Sequence, residues 1–171
     1  MTPEATTAIV NLLNSRPLSF SSERLDDATT AREVLRPFGQ DDGPPSAQLL
    51  RQVRAIRDEL VALAGEPAST ERWANLTDRL STSTFRYDFS GPRDVRPHQM
   101  TGDPVVAAIA QAVAELVAEG RWSRVKLCAN DSCRSAFYDE TRSRTQRWHS
   151  YDVCGNRVNV AAHRARATGV T

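Results

Sequence analysis

The chain has 171 residues, enough for one domain with an appendage or two small ones and for a sizeable core, and 25% charged with 6% aromatic residues is the make-up of a soluble globular protein. A formal charge of +1 excludes a strongly basic or acidic chain as a whole, and no stretch approaches the length of a membrane span. Three cysteines, an odd number, argue against a disulfide scaffold and for reduced thiols in a cytoplasm, and the start MTPEATTAIV lacks the basic and apolar runs of a secretory signal.

Thr2 followed by Pro3 and Glu4 suits a helix start, and Thr6 to Ser15 predicts a first helix with Ile9, Val10, Leu12 and Leu13 as its apolar contribution. Arg16-Pro17 breaks it. LDDATTAREVLRPF reads as a short helix closed before Pro37, with Leu25, Val34, Leu35 and Phe38 as core candidates, and GQDDGPPS is a loop. Ser46 can cap the strongest periodic segment, where Leu49, Val53, Ile56, Leu60 and Leu63 recur at helical spacing. Arg51, Arg54, Arg57, Asp58 and Glu59 are expected mostly to face away, and Gly65 and Pro67 mark its end. Another amphipathic helix is predicted over Thr70 to Leu80, using Trp73, Leu76 and Leu80.

Phe85, Tyr87 and Phe89 then alternate with polar residues in strand fashion. GPRDVRPHQM predicts a turn and a partner strand through Val95, kept short by Pro92 and Pro97. Asp103-Pro104 is a cap followed by proline at the first helical position. The helix it opens puts Val106, Ile109, Val113, Leu116 and Val117 on one stripe and stops at Gly120. Its alanine-rich flanks suit close approach of another helix, in the core or at the seam of a homodimer. RWSRVKL leads without a flexible linker into the last third, which is therefore expected to pack on the body.

That last third holds every cysteine. Cys128, Cys133 and Cys154, with His149, form C-x4-C-x15-H-x4-C, three thiolates and one imidazole of the kind that bind Zn2+ tetrahedrally. Phe137 and Tyr138 predict a strand, and with the polar turn DETRSRTQR and Trp148 they suggest a small hairpin with aromatic cover for the metal. Asp152 is expected to cap a last helix running from Val153 through Val158, Val160, Ala161, Ala162 and Ala165, with Cys154 in a first turn whose N–H groups favour a thiolate. The expected fold is mostly α with a short β-hairpin region. Residues 1–122 form a mainly helical domain, and residues 123–171 a small treble-clef or ribbon-like zinc finger ending in a helix.

From Leu127 to Arg166 the chain resembles the CGNR zinc finger, whose tetrapeptide stands here as Cys154-Gly155-Asn156-Arg157. LCAN with Cys128 and Asn130, Cys133-Arg134, Phe137-Tyr138-Asp139, an Arg/Ser turn, a W-x-S element and Arg164-Ala165-Arg166 complete the likeness. Members of that family usually carry cysteine where this chain has His149, and imidazole is also a competent donor. VNLLNSR, LRQVRAIRDEL and FRYDFS resemble, more weakly, the helical domain that precedes this finger, here in shortened form. The resemblance implies a bacterial transcription regulator, with a front domain that senses a small-molecule effector.

Charge supports a DNA contact. Residues 121–171 hold ten basic side chains against four acidic ones, whereas residues 1–120 hold twelve against seventeen. Arg142, Arg144 and Arg147 stud the turn, and Arg157 and Arg164 share a face of the last helix, close to Arg166; these are the candidate nucleic-acid contacts. Arg157, beside a ligand, has an equal claim to a structural role, and Asn130, Asp139 and Asn156 are expected to be mainly structural, orienting the ligands by hydrogen bonds. No catalytic residues are predicted: four protein donors close a zinc shell, and the chain has no HExxH, P-loop or Gly-rich nucleotide fingerprint. The alternative to DNA binding is a zinc-stabilised protein-interaction module whose arginines meet an acidic partner.

Overall fold

The computed structural model describes residues 3–41, 43–158 and 160. Helices α1 (Pro3–Leu13), α2 (Ala28–Leu35), α3 (Ala47–Gly65), α4 (Thr70–Leu80) and α5 (Pro104–Ala118) build the body, and a 3-10 turn, Arg36–Phe38, continues α2. Four starts are capped as their residue types dictate: Asp27 accepts from the N–H groups of Thr29 and Thr30, Ser46 from Leu49, Ser69 from Arg72 and Asp103 from Val105. α1 begins at Pro3, the start that Pro3 and Glu4 suit, since a first-turn proline needs no hydrogen-bonded N–H.

Ile9, Leu12 and Leu13 of α1, Val53, Ile56, Leu60 and Leu63 of α3, and Ile109 and Leu116 of α5 are wholly inaccessible and meet in one core, which Leu25, Leu35 and Phe38 complete. The α5 stripe is narrower than expected. Val117 is 44% exposed because it follows Leu116 directly, about 100° further round the helix.

Two charged residues of α3 expected to face away are buried. Arg57 Nη1 donates to Glu23 Oε1 at 2.6 Å and to Ser15 Oγ at 3.1 Å, and so ties the chain that follows α1 to α3. Glu59 lies 3.4 Å from Arg79 and 3.6 Å from Arg72, joining α3 to α4. Periodicity marks the apolar face of a helix, and both charges lie at its margins, where neighbouring chain returns to cover them.

Strands β1 (Thr84–Gly91) and β2 (Asp94–Thr101) make an antiparallel ribbon with Phe85 opposite Gln99, Tyr87 opposite Pro97 and Phe89 opposite Val95. β2 is longer than expected and holds Pro97 within it. A two-stranded ribbon has two free edges, so a proline is tolerated where its nitrogen faces outward.

A 3-10 turn, Trp122–Arg124, then runs directly into β3 (Val125–Leu127), which pairs antiparallel with β4 (Ala136–Tyr138). The strand expected at Phe137 and Tyr138 therefore finds its partner before it, and residues 139–150 contain no strand. Trp122, Val125 and Ala136 belong to the same core as the helices, and the Trp122 ring meets Trp73 of α4 edge-on at 5.7 Å. The architecture is mainly helical with two small antiparallel hairpins. Among the described residues no helix is long and apolar enough to cross a membrane.

Candidate metal centre and arginine loop

Cys128 follows β3 directly, and Cys133 closes the knuckle that joins β3 to β4. His149 and Cys154 reach the same point from the far side of the 139–148 loop. The ligand atoms of the four all lie within 4.8 Å of one another, and Cys133 Sγ is 3.4 Å from His149 Nδ1. The three cysteines are buried and His149 is half-buried. This group could hold a metal ion.

Asn130 shapes the knuckle. Its Oδ1 accepts from Ser132 N at 3.1 Å, and its carbonyl accepts from Cys133 N at 2.8 Å and Arg134 N at 3.0 Å. Arg134, at φ 54°, turns the chain back into β4. On the other side Ser150, not Asp152, caps the turn that carries Cys154: extended at φ −142°, it accepts from Val153 N through Oγ. Tyr151–Gly155 is a wide π turn, and residues 156–158 and 160 continue it as α-helix.

The thiols do not behave alike. Burial opposes ionisation of Cys133, but hydrogen bonds from Ser135, whose hydroxyl is 3.1 Å from Cys133 Sγ, and from the other two cysteines hold it below the ordinary thiol value. Burial pushes Cys154 up; the Asn130 side chain opposes this, and Cys133 and Cys128 add to it. Three thiols packed together cannot all ionise without a cation among them, and a metal ion supplies one.

Residues 124–167 match the family model of the CGNR zinc finger. No curated protein matches the chain.

Within that finger the tetrapeptide divides its work. Cys154 joins the ligand cluster. Gly155 lies beneath two rings: a Cβ there would sit 2.7 Å from Tyr151 Cδ2 and 3.2 Å from Trp148 Cε3, so only glycine lets them close over the turn. The rings themselves meet edge-on at 5.9 Å. Among the described residues Asn156 Nδ2 donates only to Asp152 O, at 3.5 Å, and Arg157 is exposed. Arg164 and Arg166, with the end of the expected helix from Ala161 on, lie outside the described residues.

Asp139 does not reach the ligands. Its side chain is wholly buried, and its carboxylate accepts from Lys126 Nζ at 2.6 Å, Thr141 N at 2.9 Å, Thr141 Oγ1 at 2.5 Å and Gln146 N at 3.0 Å. Lys126 Nζ also donates to Arg144 O at 2.5 Å. Arg124 Nη1 donates to the carbonyls of Asp139 at 2.8 Å and Thr141 at 2.9 Å, and Ala129 N donates to Arg147 O at 2.8 Å. The backbone of the loop is thus fixed from within, with Arg144 in the left-handed region at φ 55°. Its arginine side chains splay outward: Arg142, Arg144 and Arg147 are exposed, and Arg147 lies 5.3 Å over the Trp148 ring.

Sequence reasoning missed the residues that hold the finger from behind. Asn14 pairs with Ala136 like an added strand, its Oδ1 accepting from Ala136 N at 2.7 Å and its Nδ2 donating to Ala136 O at 2.9 Å. Arg16 Nη2 donates to Arg134 O at 2.5 Å, and the Ser19 hydroxyl donates to Ser132 O. An open cleft of about 570 Å³ lies between α1 and β4, with Thr6, Val10, Arg121, Tyr138 and His149 in its wall.

Proposed function

We propose that the chain is a zinc-stabilised, DNA-binding transcription regulator whose finger presents a pre-shaped arginine loop to the phosphate backbone. The observation that carries this reading is the division within the 139–147 loop, where buried Asp139 and its partner Lys126 fix the backbone and the Arg142 and Arg144 side chains are exposed. Arg142 and Arg144 make no side-chain hydrogen bond or ion pair among the described residues, so meeting a phosphate breaks nothing in the fold. A loop shaped in advance also loses little entropy on binding.

Zinc is the ion the donors suit. Bonds of about 2.3 Å to sulfur and about 2.0 Å to nitrogen put neighbouring tetrahedral donors roughly 3.5–3.8 Å apart, and the cluster is already near that size. Cys128, Cys133, His149 and Cys154 would close the shell, so the metal would supply folding rather than chemistry on a substrate. Arg157, Arg164 and Arg166 extend the basic surface in this reading. The cleft between α1 and β4 is where a small-molecule effector of the body would touch the finger.

The test is the salt dependence of DNA binding. Replacing Arg142→Ala and Arg144→Ala together should leave metal content and circular dichroism unchanged and flatten the slope of log affinity against log salt by roughly 1.8, the contribution of two phosphates. An unchanged slope would remove the loop from the interface. Negligible DNA affinity of the metal-loaded parent at low salt would overturn the reading in favour of a protein-interaction module.

A further inference from the structure

The β1–β2 ribbon takes no part in the metal centre or the arginine loop, and among the described residues no other element makes more than marginal contact with either strand. It approaches the body at its base, where Phe85 and Pro97 face Leu80 and Ala110 across a small cleft. Beyond the base, Tyr87, Phe89 and Val95 are 58%, 78% and 50% exposed. A lone two-stranded ribbon is marginal in water, and an open strand edge is a template for a further strand.

The two edges differ. β2 carries Pro97, which has no N–H to offer, whereas β1 has no proline from Thr84 to Gly91. Pro97 stands opposite Tyr87. Since proline fits only where the pair points its polar groups outward, alternation puts the N–H and C=O of Phe85, Tyr87 and Phe89 on the outer edge of β1.

The side chains along that edge are self-complementary. Phe85-Arg86-Tyr87-Asp88-Phe89, laid antiparallel against itself about Tyr87, puts Arg86 opposite Asp88, Asp88 opposite Arg86 and phenylalanine opposite phenylalanine. Arg86 and Asp88 share one face of the strand, where Arg86 Nε already donates to Asp88 Oδ1 at 3.0 Å. The neighbouring registers that keep faces aligned centre on Arg86 or on Asp88, and set like charges opposite each other. A slip by a single residue brings the apolar face against the charged one. The charge pattern thus selects one register of one pairing.

We propose that β1 is the seam of a two-fold dimer, joined edge to edge with β1 of a second copy about Tyr87. The product is a four-stranded antiparallel sheet with the aromatic side chains of both copies on one face. The alternative seam on the alanine flanks of α5 offers little free apolar surface, since Ala108 and Ala112 already pack against the core and Ala110 is half-buried.

Sedimentation velocity of the full chain tests this. The parent should dimerise at tens of micromolar or below. Arg86→Asp alone and Asp88→Arg alone should each weaken self-association roughly tenfold or more, because each sets like charges opposite twice per dimer. An equimolar mixture of the two variants should regain the parent's dimer, since Asp then meets Arg at both places. Unchanged circular dichroism and metal content in each variant certify the fold. A monomeric parent, or variants that self-associate as the parent does, would overturn the seam.

Discussion

Lys126 is the one lysine among 22 basic residues, and its position explains the choice. An ammonium spreads three donors as a tripod, whereas the donors of a guanidinium lie in one plane. Lys126 Nζ uses the tripod on Asp139 Oδ2 at 2.6 Å, Arg144 O at 2.5 Å and Gln146 O at 3.5 Å. Burial of Asp139 raises its pKa, but Lys126, the Thr141 hydroxyl and the N–H groups of Thr141 and Gln146 prevail and hold it at about 2, below an ordinary 3.8. A folded-state value below the unfolded one gives stability that is complete above about pH 4 and is lost as pH falls towards 2. Asp139→Asn should therefore be less stable than the parent in urea near neutral pH, with a gap that narrows as pH falls from about 4 to about 2. Effects of pH on the metal ligands are common to both proteins and cancel in the difference. A gap that stays constant over that range would show that the charge on Asp139 is not what fixes the loop.

At the scale of elements, the finger is held by its back as well as by its ligands. Asn14 satisfies both backbone groups of Ala136, and these are the outer-edge groups of a three-residue strand. Asn14→Ala leaves an N–H and a carbonyl half-buried without partners, and should cost about 2 kcal/mol in urea unfolding with little change in helix content. A loss within measurement error would mean that water replaces the amide freely. The same contact shows where sequence reading ends. The caps at Ser46 and Asp103 and the stripe from Leu49 to Leu63 were legible because each is decided within a few residues. The metal cluster was legible because few side chains bind metals and their spacing is restrictive. Asn14 and Ala136 lie 122 positions apart, and nothing near either one announces the other. Strands as short as β3 and β4 give no alternation to read, so the hairpin expected around 139–147 was placed on the wrong side of Phe137. Arg57 was misread because a buried charge becomes visible only with its partners, Glu23 and Ser15, beside it.

For the whole molecule, the consequence of one shared core is that metal binding reaches the helices. β3 and β4 are too short to persist as a free hairpin. Without a cation, the thiols of Cys128, Cys133 and Cys154 are left buried and crowded at the hairpin's open end. Loosening there draws Val125 and Ala136 away from the helices they cover and disturbs Trp122 against Trp73. Because binding energy at a structural site is folding energy, chelation should lower the midpoint of thermal unfolding of the entire chain by about 10 °C or more, still in one transition. Near-ultraviolet circular dichroism from the Trp73–Trp122 pair should be lost together with helical signal, and Cys128→Ser should reproduce the chelated protein. If the finger were autonomous, chelation would leave the tryptophan signal and the helical transition in place and abolish only a separate, smaller transition. The position of Trp122, inside the helical core and three residues before β3, argues for the first outcome.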